Sequence, residues 1–233
     1  MPEQPLTFAG ADPTPIVDPQ VRAVLSRLHG PTGQPGGGGG GGERGRGGWR
    51  DGSGAPFRAD PFAAADRSLS IQPKQGELIY LLCRAIGARR VVDFATSFGV
   101  SAIYFAAAVR DNGGGTVIGA EIVPEKAATA RRNLAEAGLA DFADIRLGDA
   151  RETLRDVGGP VDFALIDGFP VPEGPSLACQ VFEVVAPQLR IGALVVNDNG
   201  EPDYLEVVRD PARGFRSLSL PIKGSTELSV KVA

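Results

Sequence analysis

The sequence predicts an α/β fold: a mostly parallel seven-stranded sheet covered by helices on both faces and ending in an antiparallel C-terminal hairpin. Three observations predict it. From about residue 90 onward, unbroken apolar runs alternate with helical stretches, the pattern of strands buried on both faces. The last two strand patterns, Phe215–Pro221 and Thr226–Val232, are separated by Lys223-Gly224-Ser225, which leaves no room for a crossover helix and forces antiparallel pairing. Finally, acids fall at the carboxyl ends of several strands, where open α/β sheets bind their ligands.

The elements follow in order. Asp18 to Leu28 reads as an amphipathic helix, with Asp18 as N-cap, Pro19 in the first turn, and Val21, Val24, Leu25 and Leu28 on one face. Gly30 ends it, giving an N-terminal arm over residues 1–30. Residues 31–58 collapse to glycine, arginine and polar residues, with Gly36 to Gly42 uninterrupted. Such a stretch buries too little apolar surface to offset its ordering entropy and reads as a disordered insertion. Its Arg-Gly character would suit RNA contact, but arginines are few and acids intervene. The third unit, residues 59–233, opens with a helix over Gln75–Ile86. Strands are expected at Arg90–Ala95, Thr116–Glu121, Ala143–Leu147, Val161–Asp167 and Ala193–Asn197. Helices are expected between them at Val100–Arg110, Pro124–Ala137, Ala150–Asp156 and Leu177–Leu189.

Composition narrows the function classes. At 233 residues and 42% hydrophobic, the chain can bury a full core without disulfides. A net charge of −4 argues against broad nucleic-acid binding. Cys83 and Cys179 lie in apolar helical patterns and read as buried free thiols, which suits a reducing compartment. The start, Met1-Pro2-Glu3-Gln4-Pro5, lacks the character of a secretory signal, and no apolar run approaches membrane-spanning length. The expectation is a cytoplasmic protein with neither nucleic-acid nor membrane partners.

The run Val91 to Ser101 reads as a buried strand, a tight small-residue loop and a helix start, with Glu121 ending the next strand. This layout suits an adenosine-containing ligand, one end cradled by backbone amides and the ribose gripped by a carboxylate. A dinucleotide fold would carry Gly-x-Gly-x-x-Gly, whereas this loop has Ala95 at the first glycine position and Gly99 alone. That spacing, together with the antiparallel tail, favours the class I methyltransferase fold and S-adenosylmethionine over NAD. Asp93 is placed to hold ammonium-bound water or loop amides, and Ser101 to meet the cofactor carboxylate at the helix start. Glu121 would hold the ribose, with Ile122 beside it. Asp149 and Ala150 would meet the adenine edge after the third strand. The cofactor set is therefore Asp93, Ala95, Ser97, Gly99, Ser101, Glu121, Ile122, Asp149, Ala150 and Asp167.

Residues 75–233 resemble the metal-dependent small-molecule O-methyltransferases, the group of catechol and caffeoyl-CoA O-methyltransferases. The matching stretches are Arg90–Ser101 (RVVDFATSFGVS), Gly119–Asn133 (GAEIVPEKAATARRN), Gly148–Leu154 (GDARETL), Val161–Gly168 (VDFALIDG) and Gly192–Asn199 (GALVVNDN). The resemblance implies a Rossmann-like class I methyltransferase and a small aromatic or natural-product hydroxyl as acceptor. It also implies a homodimer, across whose interface the Asp18–Leu28 helix would pack.

Asp167, Asp198 and Asn199 stand at the tips of adjacent strands and make a hard-oxygen set suited to Mg²⁺. The family uses these three positions as metal ligands, so Asp167 and Asp198 are also the expected catalytic pair. One departure stands out. The family places a lysine three residues after the strand-end aspartate, where this chain has Pro170. Three readings remain at this point: the metal alone activates the acceptor, Glu173 or His29 supplies the base, or methyl transfer has been lost and the protein only binds the cofactor.

Overall fold

The structure, a computed structural model, describes residues 14–30, 60–168, 171, 174–222 and 226–233. Seven strands form one sheet: β1 (Arg90–Phe94), β2 (Thr116–Glu121), β3 (Ala143–Leu147), β4 (Val161–Ile166), β5 (Leu189–Asn197), β6 (Phe215–Leu220) and β7 (Thr226–Lys231), in the order β3-β2-β1-β4-β5-β7-β6. Strands β1 to β5 pair parallel, and β7 runs antiparallel to both β5 and β6. This is the expected mostly parallel sheet with its antiparallel end.

Helices α1 (Pro19–His29), α2 (Pro73–Ala85), α3 (Val100–Asp111) and α4 (Pro124–Glu136) contribute to one core. Helices α5 (Ala150–Thr153), α6 (Leu177–Val185) and α7 (Pro202–Arg209) contribute to the core on the opposite face. Side-chain alternation assigns strand residues to the two layers: Val91 and Phe163 join the first core, Val92 and Ala164 the second. Helix α3 is buried continuously from Val100 to Val109, because α2 and α4 flank it while the sheet lies beneath. The approach of α2 to α3 depends on Gly76, where a Cβ would lie 2.1 Å from the Tyr104 ring.

Helix α1 begins as its cap predicts. The Asp18 carboxylate accepts from Gln20 N at 2.8 Å and Val21 N at 3.2 Å. Val21, Val24, Leu25 and Leu28 are then buried within the same chain, each burial worth roughly 1.5–3 kcal/mol. Arg110 of α3 anchors Asp18 at 2.7 Å, and Arg27 reaches Glu136 of α4. Within the chain, the apolar face of α1 thus packs into the first core.

Several boundaries differ for physical reasons. Strand β5 starts at Leu189 rather than Ala193, because Gly192 (φ +82°) marks an irregularity in the pairing with β4 and not a strand end. Helix α6 stops at Val185, short of Leu189, since Pro187 cannot donate the next helical bond and a 3₁₀ turn follows. Helix α5 is a single turn. Helix α7 adds a helix after β5 beyond those expected from the sequence. Both cysteines are buried and free, as expected. The insertion over residues 31–58 lies outside the described residues; among those described, no helix is long and apolar enough to cross a membrane.

Candidate active site

The sheet order reverses between β1 and β4, so the chain leaves a crevice at their carboxyl ends. Asp93 of β1 and Glu121 at the end of β2 both turn toward the loop joining β1 to α3. That loop requires unusual backbone: Ala95 (φ +65°), Ser97 (φ +52°) and Gly99 (φ +87°) are all left-handed. Only glycine fits at position 99, where a Cβ would also press to 3.1 Å from Ala130 of α4. Non-glycine residues in this region cost roughly 1–3 kcal/mol each, and such strain gathers at functional sites.

Glu121 holds the loop in place. Its carboxylate accepts from Ser97 N at 2.7 Å and from Val123 N at 2.9 Å. A carboxylate has about four acceptor positions, so two remain for a ligand's hydroxyls. The sequence reading gives Asp93 ammonium-bound water or loop amides; of the loop amides, that of Ser97 goes to Glu121. Asp93 accepts from Ser101 Oγ at 3.0 Å, while its other oxygen is buried without a partner. Ser101 therefore directs its hydroxyl proton at Asp93. Burial pushes the Asp93 carboxyl up to about 7, against the Ser101 bond that lowers it and with Glu121's charge adding to the rise.

One further acid follows β3, the strand next to β2. Asp149 caps α5 through Arg151 N at 2.9 Å, and its carboxylate is also held by the Arg151 side chain at 3.0 Å. Those bonds hold it below the usual carboxylate range. The Ala150 side chain is packed in the second core, whereas Ile122 is 39% exposed at the β2 tip. Lys126, in the first turn of α4, is a residue sequence reading passed over. It is buried beside the charges of Glu121 and Asp66, and burial lowers its pKa while both acids raise it.

Across the crevice, Ile166 pairs with Asn197, which sets Asp167 and Asp198 on neighbouring strand ends. Asn199 Nδ2 donates to Asp167 Oδ1 at 2.7 Å and to the Gly168 carbonyl at 3.3 Å. Asp198 is 1% exposed and accepts a hydrogen bond from Gln75 Nε2 of α2. Behind them Glu201 caps α7 and accepts from Asn197 Nδ2 at 2.9 Å. Burial raises Glu201, Asn197 and Asn199 hydrogen bonds lower it, and the neighbouring Asp198 charge raises it further. Among the described residues no three His, Cys, Asp or Glu side chains converge on one point. The predicted ligand set needs only two carboxylates with the Asn199 amide oxygen. These are hard oxygen donors, and their chemistry fits a divalent cation.

Gln75, Asn197 and Glu201 were missed in the sequence. The signal for Glu201 was present: Pro202 directly after it marks a helix first turn, with Tyr204 and Val208 as its buried face. Gln75 carries no local signal. His29 is 4% exposed and faces Tyr104 Oη at 3.2 Å, a packed group whose pKa burial lowers. Pro170 and Glu173 lie outside the described residues.

Known proteins resemble this chain in sequence and fold. A family model described as a methyltransferase domain matches residues 93–200. A catechol O-methyltransferase of Mycobacterium tuberculosis is 37% identical over 117 residues, 48% of this chain and 52% of that protein. A catechol O-methyltransferase of Niastella koreensis is 32% identical over 155 residues, 61% of this chain and 67% of that protein. The match thus spans about half the length of the first relative and two thirds of the second. Among solved structures, an O-methyltransferase from Bacillus cereus in complex with SAH superposes with a TM-score of 0.62 at 24% identity. It covers 73% of this chain and 86% of that one, and shares the fold.

Proposed function

We propose that this protein methylates one hydroxyl of a small aromatic or natural-product acceptor with the help of a divalent cation; the premise is the family, for the chain belongs to the class I S-adenosylmethionine-dependent O-methyltransferases of the catechol and caffeoyl-CoA type. Membership sets aside the NAD-dependent reading. One observation carries the finer proposal: oxygen donors line both sides of the crevice, Asp93 and Glu121 beside the β1 loop and Asp167, Asp198 and Asn199 opposite.

S-adenosylmethionine brings a methyl group already activated on a sulfonium, so the chain's work is alignment and proton removal. Glu121 pins the loop through Ser97 and offers its remaining lone pairs to the ribose hydroxyls. The unpartnered oxygen of Asp93 supplies an acceptor for the cofactor's ammonium or a water bound to it. Asp167, Asp198 and Asn199 would hold Mg²⁺ or a similar cation. Such a cation lowers the pKa of a phenol, which at ~10 is otherwise mostly protonated at neutral pH. That chemistry suits a chain with proline in place of the family lysine.

The test is methyl transfer from S-adenosylmethionine to a panel of catechols and phenols, with and without chelator. Asp198→Ala should abolish turnover while leaving S-adenosylhomocysteine affinity intact. Unchanged turnover in chelator would refute the cation; cofactor binding without methylation of any panel member would refute the acceptor class. Sedimentation equilibrium reads the proposed homodimer directly.

A further inference from the structure

We propose that Gln75 is a positioning residue for Asp198, fixing the direction in which that carboxylate meets the cation; the inference rests on the cation site proposed above. Gln75 is 3% exposed and comes from α2, a helix remote in sequence from both metal-side strands. Every polar atom of its side chain has a partner. Oε1 accepts from Gln72 N at 3.1 Å, within the capping box that starts α2. Nε2 donates to Asp198 Oδ1 and to Thr226 Oγ1, the latter at 3.0 Å.

The orientation of the amide is forced. Thr226 donates its only hydroxyl proton to the Ile222 carbonyl at 3.0 Å, so toward Gln75 it presents a lone pair. A flipped amide would set its carbonyl against the Asp198 carboxylate and the Thr226 lone pair, and its NH₂ against the Gln72 N–H. Two acceptors on one side and one donor on the other therefore leave a single arrangement. Asp198 in turn has one oxygen fixed by a neutral donor, which orients the carboxylate without neutralising it. Partners of this kind tune metal sites in general: they set the orientation of a ligand they do not replace. The three groups come from α2, the end of β5 and the start of β7, so the contact also ties the antiparallel tail to the site.

The measurement is Mn²⁺ affinity of the full chain, read from free Mn²⁺ by electron paramagnetic resonance, beside S-adenosylhomocysteine affinity by calorimetry. Gln75→Met keeps the length but removes the donors, and should weaken Mn²⁺ by ~10-fold or more. Affinity for S-adenosylhomocysteine should stay within ~2-fold, since Gln75 serves the opposite side of the crevice; a purely structural loss would lower both. Thr226→Val removes one anchor of the amide and leaves the Asp198 contact. It should weaken Mn²⁺ by ~3-fold, and carries the test if Gln75→Met does not fold. Equal Mn²⁺ affinity in the wild type and both variants overturns the positioning role and leaves the cation site standing. A wild type that binds S-adenosylhomocysteine but not Mn²⁺ overturns the cation site, and this inference with it.

Discussion

Replacing Asp93 by asparagine should make the protein more stable at pH 8 and flatten its stability against pH. The native carboxyl is fully buried with one oxygen unpartnered and keeps its proton up to about 7, against an ordinary value of 3.8. Between those two values the native state binds more protons than the unfolded chain, so this residue makes stability fall as pH rises. The penalty is absent below about 3.8 and complete above about 7. At about 1.36 kcal/mol per pH unit, the interval amounts to ~4 kcal/mol, of which ~3 falls between pH 5 and 8. The asparagine of the variant would be neutral throughout, at a cost of ~1 kcal/mol for a less suitable hydrogen-bond partner. The variant should therefore gain ~2–3 kcal/mol over the wild type at pH 8 and lose most of that advantage at pH 5. Urea unfolding of both proteins across that range is the assay. Parallel stability curves for wild type and Asp93→Asn would refute the claim that this buried acid is held neutral by its surroundings.

Other expectations follow from the same contacts. Glu121→Gln leaves one of two backbone N–H groups facing an amide NH₂ and removes a charged acceptor; S-adenosylhomocysteine affinity should fall ~10–100-fold by calorimetry. Gly99→Ala adds a Cβ at positive φ and 3.1 Å from Ala130, so stability should drop by ~2 kcal/mol or more, seen as a lower urea midpoint. Arg209→Ala leaves Glu227, which is 2% exposed and held by Arg209 at 2.8 Å from both carboxylate oxygens, with only the Ser219 hydroxyl as side-chain donor among the described residues. Losing that partner should cost ~3 kcal/mol, a thermal shift of ~6–12 °C for a chain of this size. Burial raises Glu227, but Arg209 and Ser219 hold it below the usual range. Its stabilising share is therefore present at neutral pH and lost as pH falls through that depressed value.

Much of this molecule is legible in its sequence because the relevant forces are local. Asp18, Pro19 and Gly30 mark a helix by capping chemistry alone, and the apolar runs of β1, β2 and β4 announce strands buried on both faces. The short connection between β6 and β7 leaves antiparallel pairing as its geometry. With strand order implied by such units, acids at the strand tips point to a ligand crevice before any contact is known. The family motifs add the cofactor and the metal-side residues, whereas Pro170 is plain as a departure from them.

What the tertiary structure alone decided is which partner each polar group has. Ser101 and the cofactor-side carboxylate stand close in sequence, yet only packing shows Ser101 turned toward Asp93 and Glu121 holding the loop amide. The α1 pattern marks an apolar face to be buried, and only packing shows that face in the chain's own first core, since amphipathicity records that a surface is buried and not against what. Gln75 reaches Asp198 across more than half the chain, a pairing that no spacing or propensity encodes. Periodicity and capping depend on neighbours a few residues apart; side-chain partners at a crevice depend on elements brought together only when the sheet closes.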